Sequence, residues 1–310
     1  MPTPPGEDSG EPPRRYVSDE EDSGRWLRFP FRDGDIVVST RSKSGTTWMQ
    51  QICLLLVHRE PRLPAALGEL SPWVDWLTIP EDELFARLER QPGRRVVKTH
   101  TPLDGVVIDR RATYVVVVRD PLDMAVSLYH QGDNLDRERI AELTGRPATA
   151  PGERPALAEW LRRWTLREAD PMVSMDSLQG VVHHVADAAA RRDDRQVLVV
   201  RYEDLVADLD GRMRWLAERL GIAVGPGRWP SLVEAAGFAS MRADAAARTP
   251  DQRGVLKDPA AFFRRGRPGA GRETLAPPDV TAYEHRVRDL VAAEAPGREA
   301  EVLSLLGLRG

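Results

Sequence analysis

The sequence predicts an α/β fold: a single domain with a central parallel sheet flanked by helices, and a phosphate-cradling loop after its first strand. Three observations point there. Thr113-Tyr-Val-Val-Val-Val-Arg-Asp-Pro121 holds four consecutive valines, a run that needs burial on both faces, as in a central parallel strand. Shorter β-branched runs alternate with stretches of helical periodicity, the pattern of a doubly covered sheet. Finally, Asp35 to Gln50 joins a buried strand, Ile36 to Val38, to a small polar loop, Ser39 to Gly45. Trp48, Met49, Ile52, Cys53, Leu55 and Leu56 then recur at helical spacing, so a helix runs to about Arg59. Free N–H groups of a first helical turn and the helix dipole favour an anion at such a junction. Gly45 allows close backbone approach, Ser44, Thr46 and Thr47 add hydroxyls, and Lys43 adds a mobile charge.

Composition bounds the rest. The chain has 310 residues, 30% charged and 41% apolar, with a formal net charge of −4. That suits one sizeable globular domain and gives no bulk attraction to nucleic acid. The single cysteine, Cys53, falls on an apolar helix face and reads as core; a reducing cytoplasm fits. No stretch is long enough to span a bilayer, and no signal peptide is visible. Residues 1–24, rich in Pro, Gly and charge, read as a disordered tail, with the domain over 25–310. Only Lys43, Lys98 and Lys257 are lysines among 44 basic residues. Two of them fall in the segments singled out here, where a compact ammonium on a flexible stem has a use.

In chain order, Trp73 and Trp76 share a Pro-bearing loop and read either as core or as an aromatic wall of an acceptor pocket. Glu81 to Arg90 reads as a short helix ended by Pro92-Gly93. Arg95-Val-Val-Lys-Thr-His100 reads as a strand whose C-terminal end carries Lys98 and His100, the end at which sites gather in parallel sheets. After the valine strand, Asp120 is the expected cap of a helix with Pro121 in its first turn. Arg119 ends that strand, and the helix carries Ser127 two turns on; an ion pair of Arg119 with Asp120 or Asp123 is the plain alternative. Residues 131–170, broken by Gly and Pro and with Trp160 and Trp164 on one face, read as a partly mobile lid or a surface loop with a packed helix. Ser177 to about Arg192 reads as a helix; His183 and His184 lie on it without a third ligand at useful spacing, so no metal site is expected. Gln196 to Tyr202 reads as another buried strand, and a helix is expected from Glu203 to Leu220.

Ser42-Lys43-Ser44-Gly45-Thr46-Thr47-Trp48 resembles the 5′-phosphosulfate loop of the cytosolic-type sulfotransferases, which move a sulfuryl group from 3′-phosphoadenosine 5′-phosphosulfate (PAPS) to an acceptor. Lys98-Thr99-His100 resembles the element whose histidine takes the acceptor's proton. Arg119 and Ser127 match the 3′-phosphate element, and Tyr202-Glu-Asp-Leu the element whose tyrosine meets the adenine. Phe238-Ala-Ser-Met241 is similar to the segment whose aromatic lies against that base, though Ala236 and Gly237 replace the small hydroxyl residues often before it. Phe262 to Gly269 resembles the Arg-Lys-Gly element of the 3′-phosphate site, with Arg264 and Gly266 matching and Arg265 in place of lysine. Ala270-Gly271 stands where Asp-Trp commonly follows, and the family's dimer motif is not recognisable.

The resemblance implies an in-line displacement with His100 as general base, Lys43 and Lys98 stabilising charge, adenosine 3′,5′-bisphosphate (PAP) as product, and no metal. It implies a small-molecule or lipid acceptor; the wording is nearest to actinobacterial members thought to act on glycolipids. Two rival readings exist. A P-loop kinase or NTPase shares strand, loop and helix, but Thr46 stands where its lysine belongs and no glycine lies five before Gly45. A non-catalytic nucleotide-binding module on this fold would keep the loop without the chemistry.

Overall fold

The computed structural model describes residues 12–147, 154–249, 251 and 253–308. Four strands form the sheet: β1 (Ile36–Thr40), β2 (Val96–Thr99), β3 (Thr113–Val118) and β4 (Val197–Arg201). Their order is β2-β1-β3-β4 and every pairing is parallel, so all four C-terminal ends lie on one edge.

The valine run explains the centre. Val115 and Val117 face a cluster built with Ile36, Val38, Met49 and Ile52, while Tyr114 and Val116 face Val37, Val97, Trp26 and Leu84. Side chains alternate across a strand, so a strand covered by helices on both sides has to be apolar at every position. Cys53 is fully buried in the first of these clusters, and burial pushes its thiol up to about 12, which makes it a core residue. A buried Asp35–Arg95 ion pair ties the start of β1 to the start of β2, so both strands enter the sheet in register.

The helices begin and end where their caps lie. Asp120 accepts N–H bonds from Leu122 and Asp123 at the head of Pro121–Asn134, and Ser177 caps Leu178–Ala190. The helix expected over 203–220 is two helices, Tyr202–Ala207 and Leu209–Arg219. The break is Asp208, whose non-helical backbone ends the first while its carboxylate accepts the Gly211 N–H to cap the second.

The tail reading over 1–24 is corrected from Arg14 onward; residues 1–11 lie outside the described residues. Tyr16 is fully buried, and its hydroxyl bonds to Asp104 at 2.8 Å and meets His183 Nε2 at 3.0 Å. Glu21 pairs with Trp76 in an antiparallel bridge, and the Asp22 N–H donates to the Asp75 carbonyl at 2.9 Å. A polar composition conceals one aromatic anchor and a strand-like pairing. Within the expected lid, residues 148–153 are not described; Arg137–Thr144 and Leu157–Leu166 are helices. Trp164 packs into the core beside the helix Leu178–Ala190, and Trp160 meets Tyr129 edge-on at 5.5 Å. Among the described residues, no helix is long and apolar enough to cross a membrane.

Candidate active site

One cavity of about 320 Å³ opens along the C-terminal edge of the sheet. The loop after β1 forms its floor. Lys43 and Gly45 both have positive φ, 64° and 106°, which folds the loop tightly before the helix Thr46–His58 begins. The first bond closing that helix runs from the Met49 N–H to the Gly45 carbonyl at 3.0 Å. The N–H groups of Thr46, Thr47 and Trp48 therefore precede the helical ladder, and these three residues line the cavity. A side chain at Gly45 would strike the Tyr202 ring at 2.9 Å, so both its φ and its neighbour require glycine. Of the hydroxyls expected here, Ser44 is the exception: it is buried outside the cavity wall, its N–H donated to the Arg41 carbonyl at 3.1 Å.

Cations gather around that floor. Lys43 Nζ donates to Gln131 at 3.0 Å and sits 3.8 Å over the Phe262 ring. Burial first, then Arg119, Lys98 and Arg264, lowers its ammonium to about 7. Arg119 lies over the Tyr202 ring at 4.4 Å and donates to the Lys43 carbonyl at 2.9 Å. That ring and carbonyl take the place of the carboxylate partner considered from the sequence. The Nε atoms of Arg119 and Arg264 are sealed from solvent with no hydrogen-bond partner. Buried donors without acceptors are costly, and two of them beside a cation cluster fit an anion of the phosphate kind. Ser127 completes this wall. Arg265 also borders the cavity and pairs with Glu273 at 3.1 Å.

Gly266 turns the arginine loop with φ 63°, and a Cβ there would meet the Phe238 ring at 2.6 Å. Phe238 and Met241, on the short helix Phe238–Ala243, line the cavity beside it. The Ala270-Gly271 departure has a physical account. Asp123 accepts the Gly269 and Gly271 N–H groups at 2.7 and 2.8 Å, and a Cβ at Gly271 would strike Leu122 at 2.3 Å. The loop is anchored by backbone bonds to a carboxylate that only a small residue can approach.

The other end of the cavity is made by β2. His100 is buried, and its Nδ1 lies 2.6 Å from the Thr40 carbonyl, which calls for the proton on Nδ1. Nε2 is then the acceptor nitrogen, 3.4 Å from Lys98 Nζ. Burial, with Lys98 and Arg41, holds this imidazole well below its ordinary range, so it is neutral at pH 7. Burial lowers Lys98 to about 8, against the pull of Glu21 and Asp75. Trp73 lies edge-on to His100 at 4.5 Å and stacks on Trp76 at 4.8 Å, so both tryptophans form a cavity wall.

Sequence reasoning missed several residues of the cavity wall. Glu20 and Glu21 come from the segment read as a tail, Asp176 from the turn before a helix, and Ile140 from the lid helix. A local signal was the Ser18 hydroxyl, which accepts the Glu20 and Glu21 N–H groups at 3.2 and 3.1 Å.

The family profile described as "Sulfotransferase domain" matches residues 33–292. A glycolipid sulfotransferase of Mycobacterium bovis is 34% identical over 295 residues, covering 89% of this chain and 90% of that protein. Among solved structures, retinol dehydratase in complex with retinol and PAP superposes with a TM-score of 0.67 at 20% identity, over 89% of this chain and 88% of that one. Mouse sulfotransferase SULT7A1 complexed with PAP gives 0.64 at 20% identity, over 92% and 93%. With its profile matched across most of its length and a relative above 30% identity across nine tenths of it, the chain belongs to the sulfotransferase domain family and is an enzyme of that class.

Proposed function

We propose that this cavity transfers a sulfuryl group from PAPS to a hydroxyl of a sugar-bearing lipid or similar apolar-tailed acceptor, with His100 as general base. Sulfuryl transfer from PAPS is the activity of the class; the acceptor and the residue roles are our reading. The observation that carries it is the placement of His100, with Nδ1 2.6 Å from the Thr40 carbonyl, Nε2 3.4 Å from Lys98 Nζ and the ring edge-on to Trp73. As the acceptor oxygen bonds to sulfur, Nε2 takes its proton and the bond from sulfur to the 5′-phosphate oxygen breaks, releasing PAP. Lys43, Lys98 and the amides of the loop stabilise the charge that develops on the leaving and sulfuryl oxygens. Arg119, Ser127 and Arg264 take the 3′-phosphate, while Trp48, Tyr202, Phe238 and Met241 surround the base. These groups act by holding the reactants in line, as in phosphoryl transfer. A reducing cytoplasm, in keeping with a single buried thiol, is the proposed compartment.

The name of the 34% identical relatives supports a glycolipid acceptor. Incubation with radiolabelled PAPS and a lipid extract tests it. Label should pass to a lipid fraction, and PAP should compete. Tight ATP·Mg binding without affinity for PAP would restore the kinase reading, and PAP binding without transfer to any lipid, phenol or alcohol would leave a binding module.

A further inference from the structure

We propose that Glu21 receives a second hydroxyl of the acceptor, so that the chamber beside His100 is built for a sugar head group rather than a lone phenol or alcohol. The proposal rests on the sulfuryl-transfer reading above and narrows it.

The backbone fixes Glu21 on both sides. It bridges Trp76 in antiparallel pairing, and the next pairings are Asp22 N–H to the Asp75 carbonyl at 2.9 Å and Leu77 N–H to the Glu20 carbonyl at 2.8 Å. Its side chain lines the cavity, yet its Oε2 is sealed from solvent and has no hydrogen-bond partner. A buried carboxyl oxygen left unpaired is unfavourable unless a ligand completes it. Trp73 and Trp76 stack at 4.8 Å with 19° between their planes, beside that carboxyl. An aromatic wall next to a carboxyl, with Lys98 Nζ 4.1 Å from the Trp73 ring centre, suits a sugar ring, which has one C–H-rich face and hydroxyls around its rim. Asp176 adds a polar boundary, its Oδ1 held by Arg41 at 3.0 Å and the Ser42 N–H at 3.3 Å.

The charged groups facing Glu21 are Asp75, Arg41, Asp176 and Lys98, of both signs. Burial, and then Asp75, raises the Glu21 carboxyl to about 8, so at neutral pH it is protonated and can donate as well as accept. An ammonium-bearing acceptor would call for a carboxylate instead.

The test is equilibrium binding, in the presence of PAP, of ligands sharing one tail: octyl glucoside below its micellar concentration, 1-octanol and octylamine. Wild type should prefer the glucoside. Glu21→Ala should weaken it about tenfold, the value of one well-made buried hydrogen bond, and leave octanol nearly unchanged. Glu21→Gln, which can also donate and accept, should keep most of the preference. Unchanged PAP binding reports an intact fold; should Glu21→Ala lose it, Glu21→Met takes its place, filling the space without a polar atom. A wild type with no preference for the glucoside overturns the proposal, as do equal losses on glucoside and octanol. Octylamine bound tightest, and lost on Glu21→Gln, would make this an ammonium site instead. Glucoside bound through Glu21 without transfer of label from PAPS would sink the transfer reading alone.

Discussion

The two ends of the cavity are built differently. The donor end, around Lys43, Arg119 and Arg264, joins the loops that leave β1 and β3 to the arginine loop 263–269, and it is cationic. Its glycines cannot change: Gly45 is pressed against Tyr202 and Gly266 against Phe238. The acceptor end is assembled from pieces distant in sequence: Glu21, the Trp73 loop, Asp176 and Ile140, around His100. One end is a backbone cradle shaped for one anion chemistry; the other is a set of side chains on separable segments. A fold can hold its donor constant and change its acceptor by exchanging the second set alone.

Breaking the donor end should leave the acceptor end intact. Arg119→Ala should cost about 2–5 kcal/mol of PAP affinity, the range for removing one partner of a desolvated charge pair. Adenosine 5′-monophosphate, which lacks the 3′-phosphate, should bind almost as before; equal losses for both nucleotides, measured by calorimetry, would remove Arg119 from that role. Gly266→Ala should act on the same end more weakly. Its φ of 63° and the Phe238 ring together predict about 1–3 kcal/mol of strain, read as weaker PAP binding at unchanged octyl glucoside binding.

The anion loop of the donor end was legible in the sequence because it is local, whereas Arg119, Ser127, Tyr202, Phe238 and Arg264 were named through the family resemblance. A valine run needs two covers, and a strand, a small-residue loop and a helix within Asp35 to Gln50 imply an anion site before any tertiary contact is known. The four strands and the Asp120 cap followed from the same local rules. The acceptor end was legible only in part: His100, Trp73 and Trp76 stood out, but Glu21, Asp176 and Ile140 join the cavity wall only through pairing between distant segments. Glu21 sits in a stretch whose composition reads as solvated, and nothing near it in sequence announces Trp76. Tyr16, one aromatic among charges, was the available hint that this segment is docked.

A smaller effect sharpens the contrast in charge. In the free protein Lys43 titrates at about 7 and Lys98 at about 8. An anion bound beside them favours their charged forms and raises both values. Binding of PAP at pH 8 should therefore take up protons, on the order of one in total for each PAP bound. Calorimetry in buffers of different ionisation enthalpy reads this directly, and Lys43→Met should reduce the uptake. Binding heats independent of buffer would contradict the burial of these ammonium groups. An acceptor such as octyl glucoside, which carries no charge, should show no uptake.

The division of labour is tested most directly at His100, where the two ends meet. PAP affinity and transfer to an alcohol acceptor should be measured together for wild type and His100→Ala. Affinity should hold while transfer falls by about 10²–10⁴, the range for loss of a general base. In wild type the rate should stay level through neutral pH and fall only in acid, because burial, with Lys98 and Arg41, keeps the imidazole neutral until well below its ordinary range. A His100→Ala enzyme that keeps full activity on an alcohol, or that loses PAP affinity in step with its rate, would contradict the account.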